Sequence, residues 1–160
     1  MDALIVYDSV FGNTEKVAQA MGGALSSQMD AAVRKVGDVD PQQVTGVQLL
    51  IVGSPTRAFS PTPATKNFLK SIPKNGLEGV KVAAFDTRVS IEEVDSPILN
   101  VFVKIFGYAA QPIARQLEKR GGELTLPPEG FIVGGTEGPM KTGELERAAS
   151  WAEQAAGSSS

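Results

Sequence analysis

Short, continuous apolar runs punctuate this chain, and stretches with helical spacing separate them. Leu4–Tyr7, Gln48-Leu-Leu-Ile-Val-Gly53 and Val80-Lys-Val-Ala-Ala-Phe85 are the clearest runs. Their length and continuity predict parallel strands buried on both faces. Ala31–Val36, anchored by Val33 and Val36, predicts another strand, broken by Gly37, Asp38, Asp40 and Pro41. From Thr14 onward, Val17, Ala18, Met21 and Leu25 recur at helical spacing and predict the first helix. Asp40–Val44 predicts one short helical turn, with Asp40 as cap and Pro41 at the first helical position. Phe68 and Leu69 point inward from a helix expected over Pro63–Ser71, which ends before Pro73.

The second half continues the alternation. Asp86–Ser90 is read as the exit loop of the fourth strand. Residues 97–120 carry helical spacing in two pieces. Ile98, Leu99, Phe102, Ile105 and Phe106 share one face, and Gly107 interrupts it. Pro112 starts the second piece, with Ile113 and Leu117 inward and Gly121-Gly122 as the stop. Glu123–Leu126 and Gly130–Gly134 together supply the fifth strand, interrupted at Pro127-Pro128. A last helix is expected over 141–156, anchored by Leu145, Ala148 and Trp151.

Five strands alternating with helices predict a three-layer α/β sandwich, with a parallel sheet and right-handed crossovers. Periodicity leaves two arrangements open, a doubly wound sheet of order 2-1-3-4-5 and a truncated dinucleotide-binding half. Both place ligands beyond the carboxyl ends of the strands. No repeat or linker divides the chain, so 1–156 reads as one domain and 157–160 as a disordered polar tail.

Composition narrows the chemistry. The chain has 160 residues and a net charge of −3, which argues against a general nucleic-acid binder. It contains neither Cys nor His. Thiol catalysis, thiolate or imidazole metal sites and His-based triads are therefore excluded. Met1-Asp2 leads directly into strand residues and no run approaches a membrane span, so a cytoplasmic protein with no membrane insertion is expected.

The candidate chemistry lies in the first turn. Ser9-Val-Phe-Gly-Asn-Thr14 joins an apolar strand to a helix N-terminus, where unpaired backbone N–H groups and the helix dipole favour an anion. Gly12 lets the backbone approach that anion closely. Following Ile5-Val6-Tyr7, this segment resembles the phosphate loop of the flavodoxins, with Ser9, Gly12 and Thr14 at the fixed positions and Ala18 at the small helix position. Met21 departs from the aliphatic branched residue more usual there.

The resemblance selects the 2-1-3-4-5 order and implies FMN as cofactor. It places the phosphate on Ser9, Val10, Phe11, Gly12, Asn13 and Thr14, through backbone N–H groups, the two hydroxyls and the Asn13 side chain. It places Pro55, Thr56, Arg57, Ala58 and Phe59 along the isoalloxazine, with Phe59 the aromatic available for stacking. Asp86, Thr87 and Arg88 would meet the pyrimidine edge. Arg57 and Arg88 either bring positive charge near the ring, which favours the reduced anion, or turn to solvent or to Asp86 or Glu92.

The function implied is electron transfer with unidentified redox partner proteins. A flavodoxin-fold NAD(P)H-dependent quinone or nitro reductase is the alternative, and a flavin-free signalling or binding domain of the same fold is a further one. Ser54 stands where a response regulator needs its phosphate-accepting Asp, and no Gly-Lys-Ser/Thr completes a nucleotide P-loop. For the apolar segment 97–108 three readings fit: a buried helix, an apolar wall for the flavin, or a surface for a homodimer or redox partner.

Overall fold

The computed structural model describes residues 2–57, 60–89, 108–135 and 137–157. The strands are β1 (Ala3–Tyr7), β2 (Ala31–Lys35), β3 (Leu49–Pro55), β4 (Lys81–Val89), β5 (Glu123–Leu124) and β6 (Glu129–Val133). The helices are α1 (Asn13–Ser26), α2 (Pro63–Ser71), α3 (Ala110–Lys119) and α4 (Glu144–Ala155). A 3-10 helix over Pro41–Gly46 is closed by a capping box between Asp40 and Gln43, as Asp40-Pro41 led one to expect.

All pairings between these strands are parallel, in the order β2-β1-β3-β4-β5. β6 also pairs with β4, beyond β5 on the same edge. Two short segments thus share the role expected of one fifth strand. Between the pairs Val82–Leu124 and Phe85–Glu129, the edge chain advances two residues more than β4. Pro127-Pro128 lies within that excess, where the missing N–H groups cost no ladder bond.

Alternation along the central strands feeds two cores. Leu4, Val6, Leu50, Val52, Val82 and Ala84 face Phe68, Leu69, Ile113 and Leu117 of α2 and α3. Ala3, Ile5, Ile51, Ala83 and Phe85 face Val17, Met21, Leu25, Ala148 and Trp151 of α1 and α4. In the second core Phe85, Phe131 and Trp151 meet edge to face, with centroids 6.0–6.3 Å apart. Gly53 makes room for this cluster: a Cβ there would lie 2.0 Å from the Phe85 ring. Met21 is fully buried, so its departure from a branched residue is absorbed by packing.

Three boundaries differ from those the pattern predicts. β4 runs on to Val89, so Asp86, Thr87 and Arg88 are strand residues and not an exit loop. Polar residues read as a loop, but each of these finds a partner on its own face of the sheet. α3 begins at Ala110, two residues before Pro112, because the first turn of a helix needs no proline N–H. α4 begins at Glu144 behind Gly143, whose φ of 87° stops the helix from starting earlier. Apart from Tyr108, the apolar segment 97–108 lies outside the described residues.

α4 is also fastened to the sheet edge by charge. The Ile132 N–H donates to Glu144 Oε2 at 2.6 Å, and Arg147 donates to Glu144 and to the Gly130 carbonyl. The Arg147 guanidinium lies 4.5 Å above the Phe131 ring. The Arg147 hydrogen bond, then that of Ile132, hold the Glu144 carboxyl below the usual glutamate range, against a partial burial that raises it. A lowered acid adds stability above its unfolded value and loses it as pH falls through the folded one. Glu144→Gln is therefore expected to cost about 1–2 kcal/mol at neutral pH. Urea midpoints of variant and parent should converge as pH drops below about 4.

Candidate functional site

Because the sheet is parallel, β1, β3, β4 and β6 all release their chains at one edge. Four segments meet there. The first is 8–14. At its end Gly12 takes φ 93°, ψ −5°, a left-handed conformation that suits glycine and turns the chain into α1. Within it Ser9 Oγ accepts from the Gly12 N–H at 3.0 Å, and the Asp8 carboxylate accepts from the Ser9 N–H at 2.9 Å. Among the described residues, the N–H groups of Val10, Phe11, Asn13 and Thr14 have no protein acceptor. They cluster around the positive end of a 14-residue helix. Among the described residues, no lysine or arginine side chain donates into this turn.

Thr14 is buried, and its hydroxyl lies 2.8 Å from that of Thr87 on β4. Thr87 is thus drawn into the first loop and not set at a separate edge. Val10 and Phe11 are half exposed, and the Arg57 guanidinium lies 5.8 Å from the Phe11 ring centroid. Asp8 reaches sideways and accepts from the hydroxyl of Thr62, the cap of α2. Asp8 and Thr62 were not singled out as site residues. The signal was available in a Thr immediately before the helix-starting Pro63.

The second segment follows β3. The Thr56 N–H donates to the Thr87 carbonyl at 3.0 Å, and Thr56 Oγ1 accepts from the Ala109 N–H at 3.2 Å. Pro55, the last residue of β3, has no backbone N–H, and that of Thr56 is spent on the Thr87 carbonyl, so neither residue offers a backbone donor to a ligand. Arg57 and Ser60 exchange both backbone hydrogen bonds. Ala58 and Phe59 lie outside the described residues.

On the third segment Asp86 is fully buried, on the α3 face of β4. It is held by Arg88 through two bonds of 2.7 Å and by the Ala110 N–H at 2.9 Å. The Arg88 guanidinium stacks 3.5 Å from the Tyr108 ring centroid. Of the two orientations open for Arg88 in the sequence, the structure has the pair with Asp86. Gly130 opposite makes it possible, since a Cβ there would meet Arg88 Nε at 2.1 Å. Asp86 and Arg88 share this face, while Thr87 between them turns to Thr14 on the other.

The fourth segment, after β6, was missed. It folds back as a hairpin, with the Gly134 N–H donating to the Pro139 carbonyl at 2.8 Å and Val133 bridged to Met140. Its Glu137 carbonyl accepts from Asn13 Nδ2 at 3.1 Å. The Asn13 side chain is therefore tied to this hairpin at the base of the first loop. Gly134-Gly135 and Gly138-Pro139 after a strand were the available signal.

Burial pushes the Asp86 carboxyl up, opposed by the Arg88 hydrogen bonds and charge and by the Ala110 N–H. Removing Arg88 removes its two opposing influences, so the folded value rises further. A raised acid is stabilising below its unfolded value, and that stability is lost as pH rises through the folded one. Arg88→Met is expected to cost about 3–5 kcal/mol at neutral pH, the usual penalty for orphaning a buried charge. Its urea midpoint should climb as pH is lowered towards about 4. In Asp86→Asn/Arg88→Met that pH slope should disappear.

The family model described as flavodoxin matches residues 5–151. No curated protein sequence matches the chain. Among solved structures, oxidised flavodoxin 1 from Bacillus cereus superposes with a TM-score of 0.79 at 16% identity, covering 100% of both chains. A flavodoxin from the domain Archaea gives 0.75 at 21% identity, over 99% of this chain and 98% of that one. Rubredoxin oxygen:oxidoreductase from Desulfovibrio gigas gives 0.74 at 19% identity, over 98% of this chain and 35% of that one. These likenesses establish the same fold, free-standing or as part of a longer chain. With the family match across nearly the whole sequence, they show that this chain belongs to the flavodoxin family.

Proposed function

We propose that the chain binds FMN by its phosphate in the 9–14 loop and serves as an electron carrier for redox partner proteins. The observation that carries this is the set of backbone N–H groups of Val10, Phe11, Asn13 and Thr14, left without acceptors among the described residues at the N-terminus of α1. Unpaired donors there cost free energy unless water or a ligand meets them, and a phosphate dianion meets several at once. The absence of a basic side chain is no obstacle, since backbone dipoles supply the positive potential.

The hydroxyls fit the same ligand. A phosphate oxygen only accepts, so Thr14 would donate to it and accept in turn from Thr87, its buried partner at 2.8 Å. Ser9 Oγ already accepts from the Gly12 N–H, which leaves its proton free to donate outward. Both Asp8 carboxylate oxygens already have donors, the Ser9 N–H and the Thr62 hydroxyl.

Bound FMN supplies the redox chemistry, taking up and releasing one or two electrons. The protein's part is to hold it and set its surroundings. Arg88 is matched in charge by Asp86 and stacked on Tyr108, so the pair adds little net charge there. Arg57, beside Phe11, is the cation nearer the phosphate loop. The half-exposed Val10 and Phe11 give that loop an apolar rim.

Thr14→Ala is expected to weaken FMN by about 10- to 100-fold, the worth of one charge-assisted hydrogen bond. Riboflavin, which lacks the phosphate, should change little. Titration by flavin fluorescence quenching measures both. Equal losses would remove the phosphate from this loop, and a protein that binds neither flavin would overturn the proposal.

A further inference from the structure

We infer that the turn after β6, formed by 133–135 and 137–140 among the described residues, is a brace for the phosphate loop, with Asn13 as the positioning residue that receives it and Gly138 as its seat. The inference rests on the FMN reading of the 9–14 loop. It departs from the expectation that the Asn13 side chain is itself a phosphate donor.

Three observations carry it. Asn13 is the first residue of α1, yet its side chain is spent away from the helix, with Nδ2 donating to the Glu137 carbonyl at 3.1 Å. The residue is only 7% exposed, so the amide is enclosed and not poised for exchange with solvent. Gly138 closes over the same amide. A Cβ at position 138 would lie 2.5 Å from Asn13 Oδ1, 2.9 Å from Nδ2 and 3.0 Å from Cγ. Gly138 also has φ 104°, so both the space and the backbone there call for glycine.

The hairpin is anchored independently of this contact. The Gly134 N–H donates to the Pro139 carbonyl, the Gly138 N–H to the Gly135 carbonyl and the Lys141 N–H to the Ile132 carbonyl. Glu144, at the start of α4, accepts from the Ile132 N–H in the same strand. Asn13 is thus held by a loop fastened to β6 and α4. Holding its side chain fixes the backbone N–H groups of Asn13 and Thr14, two of the unpaired donors. Rigid donors lose less freedom when the anion arrives, which is where a brace contributes affinity.

The test is a double-mutant cycle of Asn13→Ala and Gly138→Ala, with FMN and riboflavin affinities read by fluorescence quenching. The phosphorus-31 resonance of bound FMN supplies a second readout, and far-UV circular dichroism checks folding. Each single variant is expected to weaken FMN by about 5- to 10-fold, the worth of a neutral hydrogen bond, while riboflavin changes by less than about twofold. The double variant should bind no worse than the weaker single one, because a Cβ at 138 then has no amide to displace. The phosphorus resonance should shift in Asn13→Ala although that side chain need not touch the phosphate.

Additive losses, or a Gly138→Ala protein with parental FMN affinity, would overturn the brace and leave Asn13 a direct ligand or a bystander. Should Gly138→Ala not fold, the FMN-to-riboflavin ratio of Asn13→Ala decides: equal losses overturn the brace. A parent protein that binds no FMN would overturn the reading of the loop itself, a result distinct from either.

Discussion

A parallel sheet buried on both faces imposes one constraint from which the rest follows. Its central strands β1, β3 and β4 have no solvent side, so every chain reversal happens at the ends of the sheet. Parallel strands also leave the sheet at the same end. The turns after β1, β3 and β6 and the end of β4 therefore converge, whatever their sequences. Gly53 shows how tightly the layers beneath are fitted, since one methyl there would collide with Phe85 in the middle of an aromatic cluster.

Convergence alone does not make a site. At this edge the segments are laced together by polar side chains that would be costly to bury singly. Asp8 takes the Thr62 hydroxyl at the head of α2, the Thr14 and Thr87 hydroxyls hydrogen-bond to each other, and Thr56 receives the Ala109 N–H. The lacing leaves N–H groups at the start of α1 without a protein acceptor among the described residues. Those donors stay available because a helix terminus has no internal acceptors for them.

Charge at the site follows the same logic. Asp86 would be prohibitive alone at full burial, and it is tolerated because Arg88 two residues on shares its face and the head of α3 presents the Ala110 N–H. The pair is as much a packing element as an electrostatic one. Arg88 lies flat on Tyr108 and fills the space that Gly130 leaves open.

Much of this was legible in the chain itself. The apolar runs determined which segments are strands, Thr62-Pro63 and Asp40-Pro41 announced two helix starts, and Ser9-Val-Phe-Gly-Asn-Thr14 announced the turn into α1 by its small and hydroxyl residues. These are local signals, carried by period and by capping chemistry, and local signals survive in one dimension. What only the tertiary structure decided was the partnering of polar groups across long separations. Asp86-Thr87-Arg88 reads as a loop until Ala110 and Thr14 are brought to opposite faces of the strand. The acceptor of the Asn13 amide, the Glu137 carbonyl more than a hundred residues away, is likewise visible only in the fold. A polar residue's role depends on which unpaired group it meets, and that is set by packing, not by its neighbours in the chain.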